Sequence, residues 1–265
     1  PDWPLCFGSL LPGKQMNVQV FLEWFHRLDA FLIGIALLVQ FVISLIFRSN
    51  LPRWLPWLYG LLVLLVLIQG GLGALTVFNL LSSVVVTAHL ILALTLVALM
   101  SALTQRLLEP NGSPAPFWWR FMGFCSLSAV VGQCLVGGRM ATTWSSQRCL
   151  SLGETCHLFE LHRLVAIPAS LLVASFVIIS LIVGGWPRSQ WPLLGFVSFL
   201  IVVQISLGIL SAHFGLNEPL LTVGHQLVAV LLVASLSALS FRRPLILNSK
   251  LIEFGDQTLL EICHG

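Results

Sequence analysis

Charged side chains are scarce in this sequence: Asp, Glu, Lys and Arg together make up 9% of its 265 residues. Soluble globular domains carry about 25% charged residues, so the composition excludes an ordinary soluble protein. The net charge is only +3, which gives no reason to expect nucleic-acid binding. The sequence also lacks a phosphate-binding loop, a dinucleotide-binding glycine motif and a paired nucleophile and base.

Apolar residues dominate what is present. They account for 57% of the chain, and the mean hydropathy is +0.97. A helix needs about 20 apolar residues to span the hydrocarbon core, and we find seven such runs: 28–47, 55–76, 84–104, 118–138, 163–183, 191–211 and 220–240. Backbone polar groups in lipid must be hydrogen-bonded within their own segment, so these runs predict helices. The predicted fold class is therefore all-α, a polytopic membrane helical bundle.

Basic residues are divided unequally between the two ends of the predicted helices. One set of connections holds eight: Arg48, Arg53, Arg106, Arg120, Arg188, Arg242, Arg243 and Lys250. The opposite set holds five: Lys14, Arg27, Arg139, Arg148 and Arg163. The positive-inside rule places the side with eight in the cytoplasm.

Four histidines recur at one fixed offset. His26 and His162 each stand in a His-Arg dipeptide, with 162 − 26 = 136, and His89 and His225 are separated by the same interval. Each lies near the start of a helix that runs from outside to inside. We therefore expect all four at a similar depth, just below the outer surface.

A second landmark lies between the histidines of each pair. A Gln-x-x-Leu-Gly-x-Leu element starts at Gln69 and again at Gln204, an offset of 135. Three landmarks in one order indicate an internal duplication. The second half has four predicted helices but the first has three, so we expect a leading helix to be missing from this chain. The full architecture would be two pseudo-symmetric four-helix halves, with seven helices visible here.

The duplication also predicts the domain boundaries. Residues 1–108 form the N-terminal half and residues 118–243 the C-terminal half. The segment 109–117, which contains Pro, Asn and Gly, is the expected cytoplasmic linker between them. Residues 244–265 lose the helical pattern and are expected to form a cytoplasmic tail.

The histidine pairs point to haem ligation. A neutral imidazole is the usual axial ligand of haem iron, and two of them give a six-coordinate site. Within each half the two histidines lie on helices of the same direction, so their rings can approach one haem from opposite faces. The alternative is hydrogen bonding across helices, which suits a single histidine better than four at matched depth and spacing.

Charged residues adjoin the first histidine of each pair. Arg27 and Arg163 follow these histidines directly. Each guanidinium could pair with a haem propionate, or its stem could anchor the helix at the membrane interface, and the sequence leaves both open.

Two acidic residues precede the same histidines at different spacings. Glu23 lies three residues before His26, on one face of a continuing helix, whereas Glu160 lies two before His162, about 200° away. This asymmetry suggests a reactive site in the first half and a supporting site in the second. The alternative for Glu23 is a solvated cap at a helix start.

Two cysteines share one predicted outer loop. Cys149 and Cys156 have six residues between them, and an oxidising compartment permits a disulfide there. Two free thiols are the alternative. Cys6 is also on the outer side but has no neighbouring cysteine.

Longer stretches resemble one known family. The opening PDWPLCFGSLLPG and the later FLEWFHRLDAFLIG resemble haem A synthases, especially the cyanobacterial members. QGGLGALTV, followed by His89, and QISLGIL, followed by His225, resemble later helices of that family. The resemblance extends from residue 1 to about residue 243.

The resemblance implies an enzyme that oxidises the methyl group of haem O to the formyl group of haem A. Two successive hydroxylations would give a hydroxymethyl haem and then a gem-diol that loses water. By this resemblance, a resident haem b in the C-terminal half is ligated by His162 and His225. In the N-terminal half, His26 and His89 flank the substrate haem, and Glu23 is the acidic residue needed for turnover.

The resemblance also implies a disulfide, partner proteins and a cellular location. Cys149 and Cys156 match the family's loop cysteine pair. The expected partners are a haem O synthase (protohaem farnesyltransferase), an electron donor and the surrounding membrane lipid. The expected location is the bacterial plasma membrane, with the haem sites towards the outer face, and a homo-oligomer is left open.

Two other classes of protein fit parts of the pattern. A di-haem b-type electron-transfer cytochrome would use the same ligands, but a relay across the bilayer needs haems at different depths, and here all four histidines cluster at one side. A transporter built from repeats is expected to show broken helices and polar groups at the midplane, and this sequence shows neither clearly.

Overall fold

The computed structural model describes residues 17–79, 81–109, 112–153, 156–216 and 218–243. Within these ranges the chain forms helices and no strand: α1 (Val18–Ile46), α2 (Leu55–Phe78), α3 (Ser83–Leu108), α4 (Phe117–Thr142), α5 (Ser145–Leu152), α6 (His157–Val183), α7 (Gly185–Ser189), α8 (Trp191–His213) and α9 (Pro219–Phe241). All except α5 and α7 are long and apolar enough to cross a membrane. The predicted all-helical membrane bundle is confirmed. Cys6 and the predicted tail lie outside the described residues.

Local sequence explains where several helices begin and end. Asn17 caps α1, because its side-chain oxygen accepts a hydrogen bond of 2.9 Å from the Val20 N–H, as is preferred at helix N-termini. Proline occupies the first turn of α2, α8 and α9, where its missing N–H breaks no helical hydrogen bond. Gly184 ends α6 with a φ of 77°, a conformation that glycine adopts readily.

The two helices that carry the first histidine of each pair begin earlier than the apolar runs predict. α1 starts at Val18 rather than near 28, and α6 starts at His157 rather than near 163. An apolar run measures the hydrocarbon thickness, whereas a helix continues through polar residues once it has been nucleated. Glu23 and His26 therefore share one helix.

The core lies mainly in the second half. α4 packs against both α6 and α9, and α9 also packs against α8 and α3. At the centre, Trp119 is fully buried and its ring packs edge-on against Phe176 and Trp186, with both ring-centre distances at 4.9 Å. The Trp119 indole N–H donates a hydrogen bond of 2.7 Å to the Leu239 carbonyl, so the buried polar group is satisfied. A smaller core joins α1, α2 and α3.

Contacts between α3 and α9 repeat the duplication. Ser101 Oγ donates to the Ala234 carbonyl and Ser237 Oγ donates to the Ala98 carbonyl, both at 2.7 Å. Ala234 follows Ala98 by 136 residues, as Ser237 follows Ser101, which is also the offset between the paired histidines. Equivalent residues therefore exchange hydrogen bonds reciprocally, as they do across a two-fold axis. We call these two bonds the serine seam.

The turns that lead into α3 and α9 also repeat. Leu81 and Leu216, 135 residues apart, both have a φ of 62°, and their N–H groups donate to the carbonyls of Thr76 and Ser211 at 2.8 and 2.9 Å. A left-handed conformation costs a residue such as leucine about 1–2 kcal/mol. The turn hydrogen bonds therefore hold both leucines in this conformation, and the two turns lead into α3 and α9 in the same way.

The segment between α3 and α4 is tied to the end of α9. The Glu109 carboxylate accepts hydrogen bonds from Arg242 Nη1 at 3.1 Å and from the Arg243 backbone N–H at 2.7 Å. This link closes the bundle at the end where α3 stops and α4 starts.

Candidate functional site

The four histidines lie at one end of the bundle. His26 and His89 stand near the N-terminal ends of α1 and α3, which the antiparallel α2 connects. The C-terminal end of α4 adjoins the start of α3, because Arg139 Nη1 donates a hydrogen bond of 2.9 Å to Ser83 Oγ. α6 starts at this end, and the antiparallel α8 returns the chain to it for the start of α9, so the second histidine pair is also here.

Each half places its two histidines opposite each other. The ring centres are 6.5 Å apart for His26 and His89, and 6.4 Å apart for His162 and His225. A direct hydrogen bond between imidazoles would bring the centres to roughly 5 Å, from an N···N distance of about 3 Å and roughly 1 Å from each nitrogen to its ring centre. Two metal–nitrogen bonds of about 2 Å would instead give roughly 6 Å. The observed spacing is too long for a direct hydrogen bond and leaves enough room for a metal between the two rings.

Two imidazoles in each pair suit a particular kind of metal group. Within the described ranges, no three His, Cys, Asp or Glu side chains lie together. A zinc ion held by protein takes three or four protein ligands, whereas haem iron has its four porphyrin nitrogens and receives its remaining ligands from axial residues. Haem is thus the group that these residues fit.

Glutamines of neighbouring helices bond two of the histidines through the backbone. The Gln69 amide in α2 donates to the His89 carbonyl at 3.1 Å. The Gln133 amide in α4 donates to the His162 carbonyl at 2.7 Å and lies 3.1 Å from the His162 ring Nδ1. Each glutamine therefore joins a histidine helix to the preceding long helix, α2 to α3 and α4 to α6.

The His225 ring is bonded to Gln204 through both nitrogens. Nδ1 lies 3.1 Å from the Gln204 backbone carbonyl, and Nε2 lies 3.2 Å from the Gln204 side-chain nitrogen. A carbonyl only accepts hydrogen bonds, so this network assigns the ring proton to Nδ1 and the lone pair to Nε2. Metal-ligating histidines usually donate their other N–H to a carbonyl in this way. Ligation of a metal through Nε2 would therefore require the Gln204 amide to leave that nitrogen.

Four of the eight unpaired buried polar atoms in the described residues belong to the histidines and their neighbouring glutamines. They include His89 Nδ1 and the side-chain oxygens of Gln69, Gln133 and Gln204. An unpaired buried polar atom costs about 1–3 kcal/mol, so such groups usually mark a place with a specific role. Their position beside both histidine pairs supports a binding function at this end of the bundle.

The charged neighbours of the first histidines have partners within their own helices. Arg27 forms an ion pair with Glu23, one helical turn earlier. The Arg163 guanidinium carbon lies 5.8 Å from the centre of the Phe159 ring, a cation–π distance. The predicted pairing of these arginines with haem propionates stays a prediction.

The predicted disulfide is confirmed. Cys149 in α5 is bonded to Cys156, which directly precedes α6, with a Cα–Cα distance of 4.8 Å. The bond fixes the start of α6 shortly before His162.

Gln133 is a site residue that the repeat pattern above did not identify. It stands four residues before a glycine, as Gln69 and Gln204 do. The two predicted elements also have a leucine three residues after the glutamine. The corresponding position after Gln133 is Val136. A search for the glutamine and glycine alone would have found it.

Fold and site together define a polytopic helical membrane protein that brings two histidine pairs to one end of its bundle. The sequence profile of COX15-CtaA, described as cytochrome oxidase assembly protein, matches residues 1–237. The chain therefore belongs to the COX15-CtaA family. A curated relative from Shewanella oneidensis, named Heme A synthase, is 29% identical over 177 residues, covering 57% of this chain and 51% of the relative. The chain thus spans about half the length of that relative.

Proposed function

We propose that this protein is a haem A synthase, an oxidoreductase that converts the methyl group of haem O to a formyl group by two successive hydroxylations. The family match and the name of the bacterial relative support this activity. The observation that carries it is the pair of opposed histidines in each half, with ring centres 6.5 and 6.4 Å apart at the same end of the bundle.

The two halves have different tasks in this proposal. His162 and His225 hold a resident haem b, and His26 and His89 flank the substrate haem O. A bound haem b supplies one-electron transfer. The assignment depends on Glu23, which stands three residues before His26 and so faces the same side of α1, whereas Glu160 lies two residues before its histidine.

Glu23 is the proposed proton-transfer or charge-stabilising group at the substrate site. A carboxylate can accept or return a proton at a reacting group when it lies within reach. The ion pair with Arg27 holds this carboxylate in one direction along α1.

Arg27 and Arg163 are proposed to bind haem propionates at the membrane boundary. A guanidinium has five N–H donors and can engage a carboxylate through two of them. Arg27 directly follows His26, which places its guanidinium close to the proposed substrate haem.

The histidine end is proposed to face outwards from the bacterial plasma membrane. Described basic residues gather at the opposite end of the bundle, as the positive-inside rule requires of a cytoplasmic face: Arg48, Arg53, Arg106, Arg120, Arg188, Arg242 and Arg243. The proposed partners are a haem O synthase that supplies the substrate and an electron donor.

The test is co-expression of the full-length protein with a farnesyltransferase that makes haem O, followed by mass spectrometry of the extracted haems. The wild type should yield haem A or its hydroxymethyl precursor. Glu23→Gln should lose this product, whereas the matched Glu160→Gln control should keep it.

Two results would contradict the proposal. Full oxidation by Glu23→Gln would remove the role given to that carboxylate. Unchanged haem O and haem b in the wild type, with an intact six-coordinate spectrum, would favour a di-haem electron carrier instead.

A further inference from the structure

Three of the four histidines rest against a glycine of the preceding transmembrane helix. For each of these glycines the atom nearest to an added Cβ is the histidine Cε1: 3.4 Å for Gly73 and His89, 2.9 Å for Gly137 and His162, and 3.1 Å for Gly208 and His225. Cβ contacts below 3.0 Å essentially do not occur in proteins. A methyl group at Gly137 therefore cannot be accommodated unless the His162 ring moves.

The same helical face carries the glutamine that bonds each histidine. Gln69, Gln133 and Gln204 each precede one of these glycines by four residues, so glutamine and glycine are neighbours one turn apart. The glutamine forms a hydrogen bond with the backbone or the ring of the histidine. The glycine, which has no side chain, lets the Cε1 edge of the ring pack against its helix. The combination occurs in α2, α4 and α8, each time against the histidine of a different helix.

We propose that each Gln-x-x-x-Gly pair is a positioning element that sets the orientation of its histidine ring for axial ligation of haem. This inference rests on the proposed function, because it requires a haem between the histidines. Cε1 lies between the two ring nitrogens, so a methyl group pressing on it turns Nε2 as well. Loss of the glutamine also affects the ring. The hydrogen bond between the histidine helix and the preceding long helix is then missing, so the ring can change its orientation.

The chain offers matched controls on the same helices. A Cβ added at Gly70 in α2, Gly132 in α4 or Gly195 in α8 meets nothing within 4 Å. Alanine raises helix propensity by about 1 kcal/mol over glycine at any of these positions. A difference between variants of the histidine-contacting glycines and these control variants therefore reports on the histidine contact and not on helix propensity.

The experiment compares Gly137→Ala and Gly208→Ala with Gly132→Ala and Gly195→Ala in the purified, haem-loaded protein. The readouts are haem content, the visible spectrum and the electron paramagnetic resonance signal of the ferric haem. The control variants should keep the low-spin, six-coordinate signal of the wild type. Gly137→Ala should lose most of it and gain a high-spin signal, and Gly208→Ala should show a smaller loss because its contact is longer.

Gln133→Leu provides a second test that leaves the glycine in place. It should retain haem but shift the low-spin resonance positions, because the ring is no longer held from α4. This variant decides the question if Gly137→Ala does not accumulate.

The failures are distinguishable. Low-spin signals identical to wild type in Gly137→Ala, Gly208→Ala and Gln133→Leu would overturn the positioning role while leaving the haem sites intact. A wild-type protein that binds no haem would refute the proposed function, and the positioning role with it.

Discussion

The serine seam predicts how strongly the two halves are held together. Ser101→Ala and Ser237→Ala each remove one interhelical hydrogen bond of 2.7 Å. The carbonyls that accept these bonds lie inside helices, where backbone hydrogen bonds remain, so no buried group is left unpaired. Hydrogen bonds between membrane helices contribute about 0.6 kcal/mol on average. We expect about that loss for each single variant and about 1.2 kcal/mol for the double variant, roughly an eightfold change in the unfolding equilibrium.

The assay is equilibrium unfolding in lipid–detergent bicelles with increasing denaturing detergent, followed by circular dichroism. Ser180→Ala is the matched control, since Ser180 is as fully buried as Ser237 but bonds the Phe176 carbonyl of its own helix. A serine that bonds back within its helix adds little stability, so this variant should unfold like the wild type. Equal effects in the seam and control variants would refute the reciprocal bonding of α3 and α9.

Two further predictions concern the second half. Cys156→Ser should lower the free energy of unfolding by about 2.5 kcal/mol by the loop-entropy relation for an eight-residue ring. Hydrogen–deuterium exchange should then accelerate in the first turns of α6. Unchanged protection of these turns would contradict the anchoring role of the disulfide. Trp119→Phe should cost about 0.5–1.5 kcal/mol from the lost hydrogen bond between the buried indole and the Leu239 carbonyl, which keeps its bond from the Arg242 N–H. The smaller ring leaves a cavity that adds to this loss. Trp118→Phe, on the less buried neighbouring position, should cost less in the same unfolding assay, and a reversed order would contradict this account of the core.

The apolar runs predicted the membrane helices because burial in lipid demands continuous hydrophobicity and internal backbone bonding. They did not predict the early starts of α1 and α6, since polar residues outside the hydrocarbon can still be helical. The short helices α5 and α7 carry no such apolar signal, and their formation depends on neighbouring structure.

The histidine pairing was readable because the duplication repeats both position and residue type at one offset. Ser101 and Ser237 stand at that same offset, as do Ala98 and Ala234, but sequence alone does not show which faces of α3 and α9 meet. Gln133 and Gly137 have the spacing of the repeated element without its leucine, but the contact of Gln133 with His162 depends on α4 packing against α6, which is a tertiary contact.

The most direct test of the central claim is the haem content of histidine variants expressed in a host that makes haem b but no haem O. The wild type should hold haem b with a low-spin spectrum. His162→Ala or His225→Ala should lose it, and His26→Ala or His89→Ala should retain it. Equal loss in all four variants, or retention of the haem when His162 and His225 are both replaced, would contradict the assignment of one resident and one substrate site.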